Sequence, residues 1–513
     1  MKRLHTHKRP GLWMQAWFLM AIGAAFCCFG LQNAQAVPLT DSAVTRAVER
    51  ELLSDPGVAA HRIDVSTTDQ VVTMSGTVDN LLSKERAARV AGTVKGVSWV
   101  LNSITVLPPL QTDQEIQESV EAALMKDPGT ESFQVEVLVN DGEVTLSGEV
   151  DSFQERRLAA TVAKGVDGVT ALRNDLEVDP EPLRSDAELS SEIKQSLKWN
   201  VLVDHQDISI VVNDGAVALR GEVDSLAEKN QAVSEAWTHG VDSVDAVQLE
   251  VVVAEETTDP EPVVEVSDAE ISEAITRDLL TDPRLEDFEI DVEVEDGIAT
   301  LSGSVGNLKA KQTAGRIARN TLGVWRVKNI LLVRPGDRVS DNAISLDVQS
   351  ALIRDPFVEK DEVSVYVENG KVTLSGTVDS VFEKRQAADA ASRVKGVIAL
   401  DNALNVEGTP AYQYNPYLDD AWSRDESTWQ RLPSSSSKSD WEIASDIRDE
   451  LWWSPFVDED QVEVDVHNGV AVLSGTVDTM GERAAARENA FDGGATAVEN
   501  NLKVKQGPQE LLP

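Results

Sequence analysis

The sequence contains very little cysteine. Its 513 residues include two, Cys27 and Cys28, and both lie within the first 36 residues. A chain without that segment has no thiol, which excludes disulfides, thiolate metal sites and a cysteine nucleophile. Histidine is scarce too, with six residues, and the sequence has no metal-ligand spacing, no Gly-x-Ser-x-Gly elbow and no phosphate-binding loop. We therefore predict that the protein is not an enzyme and that it holds no cofactor and no metal.

Basic residues are also few. The chain has 46 Lys and Arg against 88 Asp and Glu, which gives a formal net charge of −42. Such a charge repels nucleic acid, so nucleic acid is excluded as a partner, and no small-molecule substrate is evident. Hydrophobic residues make up 42% of the chain and recur periodically, which separates it from disordered acidic polymers.

The first 36 residues have the features of a secretory signal peptide. A basic N-terminal stretch precedes the uncharged apolar run 12–31, and Ala34-Gln35-Ala36 fits the small-x-small cleavage pattern. We expect cleavage before Val37 and export of the remaining chain. The alternative is an uncleaved leader that anchors the protein in the inner membrane, because an apolar run of about 20 residues can just span a bilayer.

A Ser-Gly dipeptide recurs along the chain in one fixed context, with arginine in place of the serine in the third copy. Its glycines are 72 to 99 residues apart: Gly76, Gly148, Gly221, Gly303, Gly376 and Gly475. This spacing predicts six copies of a module of about 66 residues. We place the repeats at 41–106, 113–178, 186–252, 268–333, 341–406 and 440–505, behind the leader 1–36, with an acidic linker at 253–267 and an aromatic and serine-rich linker at 407–439.

The first half of each repeat predicts a helix followed by a β-hairpin. Aliphatic residues recur every four positions at three places in all six copies, and in the fifth copy this pattern ends at Asp355-Pro356. Alternating valines then flank Asn369-Gly370, which is typical of a tight hairpin turn. The first repeat has Asp69-Gln70 at that turn, so we expect a looser hairpin there.

The second half of each repeat predicts another helix and a third strand. In the fifth copy Asp379-Ser380 is a candidate cap for this helix, and the strand follows at 400–406. Glycines typical of a left-handed helix end follow the helix: Gly96, Gly165, Gly240, Gly323 and Gly396. A right-handed crossover makes the third strand parallel to the second. We therefore predict an α+β fold class: α-β-β-α-β modules, each with a three-stranded mixed sheet and two helices on one face.

Together, the Asp-Gly or Asn-Gly turn, the Val-x-Leu-Ser-Gly-x-Val-Asp strand, the later Gly-Val and the Asn-x-Leu-x-Val strand resemble the BON domain of OsmY-like periplasmic proteins. The resemblance covers all six repeats. It implies a periplasmic location, association with phospholipid or other envelope components, a role in osmotic or envelope stress, and no known catalysis.

Two copies depart from this pattern. In the sixth, residues 492–495 lack the expected Lys-Gly-Val and are one residue shorter, so we expect its second helix to end early. In the third, Val247 stands where the strand asparagine is expected.

The sixth repeat has aromatic residues at the end of its first helix, where Trp452 and Trp453 follow the core residue Leu451 and Phe456 comes soon after. Two interpretations are open: a membrane-interface anchor, or cover for a contact between adjacent repeats. The aromatic and serine-rich linker has a second group of aromatic residues: Tyr412, Tyr414, Tyr417, Trp422 and Trp429. This group either packs on neighbouring repeats or binds a partner.

The fourth repeat separates its charges. An acidic hairpin precedes a basic second half that includes Lys309, Lys311, Arg316 and Arg319. This half can meet lipid headgroups, meet an acidic face of a neighbouring repeat, or remain a solvated helix face.

The leading hypothesis is a non-enzymatic periplasmic protein that binds phospholipid or other envelope surfaces, with six weak modules acting by avidity. The alternative is a chaperone or scaffold for exported envelope proteins, which the acidity favours.

Overall fold

A computed structural model gives the architecture. The chain divides into two units, Met1–Thr40 and Asp41–Pro513, and all six repeats belong to the second. The structure describes residues 39–130, 133–178, 184–238, 240–252, 266–336, 338–359, 362–407, 417, 438–454, 456–477 and 480–504. The predicted leader, most of both linkers and the linker aromatics other than Tyr417 lie outside these residues. Within the described residues, no helix has the length and apolarity needed to cross a membrane.

Every repeat contains two helices. The first helices are Asp41–Ser54, Asp113–Lys126, Asp186–Trp199, Asp268–Leu280, Asp341–Arg354 and Asp440–Trp453. The second helices are Leu81–Gly92, Phe153–Lys164, Leu226–Ala236, Leu308–Arg319, Val381–Ser392 and Met480–Asp492. Serine or threonine caps most first helices, and in four of them a glutamate three residues later completes a capping box.

Every repeat also contains a three-stranded sheet. The first strands are Ile63–Thr68, Gln134–Asn140, Ile208–Asn213, Ile290–Glu295, Val363–Glu368 and Val462–His467. The second strands are Val71–Val78, Glu143–Val150, Ala216–Val223, Ile298–Val305, Lys371–Val378 and Val470–Val477. The third strands are Trp99–Val106, Ala171–Val178, Ser243–Val251, Arg326–Asn329 with Leu332–Val333, Ala399–Val406, and Ala497–Asn500 with Lys503–Val504.

The second strand is the middle strand of each sheet. It pairs antiparallel with the first strand and parallel with the third, as in the fifth repeat, where Leu374 lies between Val365 and Asn402. The predicted α+β module with a mixed sheet is therefore confirmed. All eighteen aliphatic residues of the first-helix stripe are buried, because this stripe packs with the inward side chains of the sheet.

An aspartate at the first position of each first helix fixes the hairpin. Its two carboxylate oxygens accept the backbone N–H groups of the two turn residues, at 2.8 to 3.2 Å in all six repeats. The prediction of a looser hairpin in the first repeat is wrong. Asp41 holds Asp69 and Gln70 in the same two-residue turn, with φ of 50° and 64°, although a non-glycine residue at positive φ is disfavoured.

The glycine of the Ser-Gly motif is required by a close approach of two strands. It has φ between 115° and 138° in the six copies. In the fifth repeat, a Cβ on Gly376 would overlap the carbonyl oxygen of Glu362, just before the first strand. The glycine of the Ser-Gly motif is therefore explained by the backbone geometry of the hairpin.

Two further expectations about individual repeats need correction. The second helix of the sixth repeat does not end early: it has 13 residues, against 12 in the fifth, and the deletion falls in the loop after it. Gly165 has a φ of −74°, and the positive φ of 94° belongs to Gly168, three residues later. At Gly96, Gly240, Gly323 and Gly396 the φ is positive as expected, at 85° to 91°.

The strand asparagine ties the third strand to the second helix. In the fifth repeat, the Asn402 side-chain amide donates to the Lys384 carbonyl at 2.8 Å, and four other repeats have the same bond. In the third repeat, where Val247 is 83% exposed, the sheet register shifts between Ala218 and Arg220. A β-bulge thus accompanies the loss of this asparagine.

We predict that Gly376→Ala lowers the free energy of unfolding by about 3 kcal/mol, because alanine forces both a disfavoured φ and a backbone overlap. Chemical denaturation measures the loss. Ser375→Ala, next to it on an exposed strand position, is the control and should change stability by less than about 0.5 kcal/mol. Equal effects of the two substitutions would contradict this explanation of the motif.

Candidate functional surfaces

The end of the first helix in the sixth repeat lies against the first repeat. Trp452 and Trp453 are half-buried and meet edge to face, with ring centroids 4.7 Å apart. The Lys95 ammonium lies 4.9 Å from the Trp452 ring centroid, and Trp453 lines a cleft with Ala47 and Val90. This placement favours the interpretation that the tryptophans cover a contact between repeats. The two repeats are the first and the sixth, which are far apart in sequence.

Ion pairs flank this contact. Arg50 lies 3.3 Å from Glu450, and Lys95 lies 3.8 Å from Glu459. Burial raises the pKa of Glu450, and Arg50 opposes this rise. Basic residues of the first repeat therefore offset acidic residues of the sixth.

The other four repeats form two equivalent pairs. The Asp167 N–H donates to the Arg354 carbonyl, joining the second and fifth repeats, and the Leu322 N–H donates to the Trp199 carbonyl, joining the fourth and third, both at 2.8 Å. Arg354 and Trp199 occupy the helix position of Trp453. In each pair, the end of one first helix meets the loop after the other repeat's second helix. Trp199 belongs to the hydrophobic core of the fourth repeat, so these cores are shared.

A buried ion pair links two of these pairs of repeats. The Arg284 guanidinium donates to both carboxylate oxygens of Asp127, at 2.6 and 2.9 Å, and both side chains are buried. Burial acts to raise the pKa of Asp127, but the charge and hydrogen bonds of Arg284 outweigh it and hold the pKa below its usual value. The contact joins the fourth repeat to the second.

The basic half of the fourth repeat also contacts another repeat. Lys309 Nζ lies 2.6 Å from Asp389 of the fifth repeat, which also pairs with Arg393. Burial acts to raise the pKa of Asp389, but Arg393 and Lys309 outweigh it and lower that pKa. For Lys309, the structure favours contact with an acidic face of a neighbouring repeat.

The remaining predicted basic residues are half-buried within their own repeat. Lys311 donates to the Leu331 carbonyl at 2.7 Å, and Arg316 lies 3.9 Å from Asp282. Arg319 lies one turn beyond Arg316 near the end of the helix. The structure therefore does not gather these side chains into one exposed patch.

Tyr417 and Phe456 meet where the linker passes the third and sixth repeats. Their ring centroids are 5.0 Å apart, and the Tyr417 hydroxyl donates to the Leu202 carbonyl at 3.0 Å. Burial raises the pKa of Tyr417, and Glu228 reinforces this. For this one described aromatic of the linker, the structure favours packing on the repeats.

An exposed apolar surface that we did not predict lies on the sheet of the first repeat. Trp99 is 57% exposed and Leu101 is 52% exposed, on the sheet face that points away from the helices. The neighbouring middle strand contributes Val71 and Thr73 beside them. The first strand adds Thr68 and Ser66 to these two rows, which carry no charge. The next row contains Ser75 and Ser103 together with Asp64, an exposed carboxylate on the same face.

The sequence contains a signal for this surface. At the position of Leu101, the second, fifth and sixth repeats carry Arg173, Asp401 and Glu499. A comparison of outward strand positions between copies singles out the first repeat. In the described part of the chain, no group of three or more metal-binding side chains is present.

Comparison with known proteins identifies the module. The family model for the BON domain matches residues 40–108, 112–180, 185–253, 267–335, 340–408 and 439–506. The chain is 34% identical over 146 residues to Osmotically-inducible protein Y of Escherichia coli (strain K12), covering 27% of this chain and 73% of that protein. It is 35% identical over 105 residues to outer membrane lipoprotein DolP of Haemophilus influenzae, covering 20% of this chain and 54% of that protein.

Among solved structures, the C-terminal domain of CdsD, the structural protein of the Type III secretion system of Chlamydia trachomatis, aligns with 39% of this chain and 94% of its own. The sequence identity is 13% and the TM-score is 0.11, a similarity too low to support a conclusion.

We predict that Arg284→Met lowers the free energy of unfolding by about 3 to 5 kcal/mol, because it leaves the buried Asp127 carboxylate without its hydrogen-bonded ion-pair partner. The double variant Asp127→Asn/Arg284→Met should recover part of this loss. Chemical denaturation at pH 7 measures both. As a control, Arg173→Met breaks an exposed pair with Asp175 and should cost less than about 1 kcal/mol. A small loss in Arg284→Met would contradict the importance of the buried pair.

The carboxyl group of Asp355 predicts that the stability of the folded protein depends on pH. Burial raises its pKa to about 7; the Phe357 N–H and Arg393 oppose the rise, and Asp389 and Asp167 reinforce it. The folded state therefore retains this proton to a higher pH than the unfolded state, so stability falls as pH rises towards 7. Asp355→Asn removes this proton-linked loss.

We expect the stability advantage of Asp355→Asn over the wild type to be larger at pH 8 than at pH 5 by about 2 kcal/mol, because the wild type loses stability from the unfolded-state pKa of about 4 up to the folded-state pKa of about 7. Thermal unfolding at the two pH values tests this, with the exposed Asp401→Asn as control. A difference that does not change between pH 5 and pH 8 would rule out Asp355 as its source.

Proposed function

This chain belongs to the BON domain family, and on that premise we propose that it is a non-enzymatic protein of the periplasm that associates with phospholipid surfaces. We further propose that it acts in osmotic or envelope stress. One relative is named as osmotically inducible and another as an outer membrane lipoprotein. These names support an envelope role for the present chain.

The observation that carries the lipid proposal is the exposed sheet face of the first repeat. Trp99 and Leu101 lie side by side in two rows of the sheet face that carry no charged residue, in a chain whose net charge is −42. Tryptophan favours the membrane interface, and exposed apolar patches mark interaction sites. Leu107 and Leu110, which are 55% and 105% exposed, follow this strand in the segment between the first and second repeats. They add to the apolar area of this surface.

The tryptophans of the sixth repeat are a weaker choice for the lipid contact. Trp452 and Trp453 already cover the first repeat, and the sheet of the sixth repeat presents Glu463 and Asp465 outward. We therefore place the contact on the first repeat, where no comparable row of acids repels a bilayer. Zwitterionic lipid should bind better than anionic lipid, because the whole chain is acidic.

We predict that residues 37–513, which contain the second compact unit, float with zwitterionic liposomes, and that Trp99→Ala/Leu101→Ala weakens this binding at least 10-fold. Trp441→Ala is the matched control, because Trp441 is 75% exposed on another repeat and should not affect flotation. Trp452→Ala/Trp453→Ala tests the alternative contact.

Each outcome has a definite meaning. Loss of flotation in the Trp452/Trp453 variant alone would move the contact to the sixth repeat. If the wild type fails to float with either lipid, with and without magnesium, the lipid proposal is wrong. A chaperone or scaffold for exported envelope proteins would then be preferred, with Trp99 and Leu101 meeting apolar segments of a client. Suppression of the aggregation of an unfolded outer-membrane protein tests that function.

A further inference from the structure

The sheet of the fourth repeat separates charge by strand on its open face. The first strand presents Asp291, Glu293 and Glu295, all exposed, on the face away from the helices. The third strand presents Arg326 and the exposed Lys328 on the same face. The middle strand between them presents uncharged residues. One side of this face is therefore acidic and the other is basic.

The strand register aligns these charges in rows. Glu293, Thr300 and Lys328 form one row across the three strands. Glu295, Ile298 and Arg326 form the next. The outer residues of a row are two strand spacings apart, about 10 Å between backbones. Among the ion pairs of the described residues, none involves Glu293, Glu295 or Lys328.

We propose that two copies of this chain associate face to face through this sheet, about a two-fold axis parallel to its middle strand. That rotation places the first strand of one copy over the third strand of the other. It does not shift the rows along the strand direction, so each row of one copy faces the same row of the other. Glu293 then meets Lys328 of the partner subunit, and Glu295 meets Arg326 of the partner subunit. The contact occurs twice, as two-fold symmetry requires.

Charge complementarity selects a second copy as the occupant. A partner surface of one sign would be attracted to one edge strand and repelled by the other, whereas the rotated copy pairs both. An apolar contact is added by Ile298, which meets its own symmetry mate. Asp291 has no basic counterpart in this arrangement, because its row continues through Ser302 to Ile330 on the third strand.

The size of the face sets the expected affinity. Three strands of about eight residues span roughly 14 by 25 Å, or about 350 Å² on each copy. Stable complexes bury about 800 Å² per partner. The dimer is therefore weak, with a Kd on the order of 0.1 mM, and concentration should control it.

Sedimentation equilibrium of residues 37–513 at about 0.15 M salt, up to about 0.5 mM protein, tests the proposal. The wild type should show monomer and dimer, and Glu293→Lys and Lys328→Glu should each weaken association at least 10-fold by placing like charges opposite each other. An equimolar mixture of these two variants should restore association, because each facing pair then has opposite signs. This rescue also shows that both variants fold.

Lys371→Glu is the control, since it makes the same charge change on the exposed sheet face of the fifth repeat and should associate as the wild type does. A wild type that stays monomeric throughout the concentration range would overturn the proposal. So would unchanged association of Lys328→Glu, or a mixture that associates no better than either variant alone. None of these results depends on lipid binding.

Discussion

One carboxylate per repeat holds each module together. The aspartate that begins the first helix accepts both N–H groups of the hairpin turn, about 28 residues further along the chain. This contact joins the start of the helix to the tip of the sheet, so the aliphatic stripe of the helix faces the inward valines. The same contact holds Gln70 at a positive φ that glycine or asparagine adopts more easily. With the helices fixed on one face, the other face of every sheet is left open.

Several basic residues of this acidic chain lie where repeats meet. Arg284, Lys309, Arg50 and Lys95 each pair with a carboxylate of a different repeat. Many carboxylates brought into one compact unit repel each other, and burial strengthens that repulsion. The basic residues at the contacts offset it. These four side chains are consequently occupied within the protein.

The open sheet faces share a backbone and differ in side chains. The first repeat presents an apolar surface around Trp99, and the fourth presents acidic residues on its first strand and basic residues on its third. Because core positions fix the fold, outward strand positions can vary without changing it. Six copies of one module therefore provide distinct surfaces.

The sequence by itself determined the family, the order of helices and strands, the mixed sheet and the buried helix stripe. These features depend on local periodicity, turn residues and a crossover rule, all of which repeat six times. It did not determine the length of the second helix in the sixth repeat, the turn at Gln70 or the place of Trp452 and Trp453. Only the tertiary structure decided these, and for two of them the reason is a partner distant in sequence: Asp41 for the turn and the first repeat for the tryptophans. The pairing of the first repeat with the sixth leaves no periodic signal, since it joins surfaces of folded modules rather than neighbouring residues.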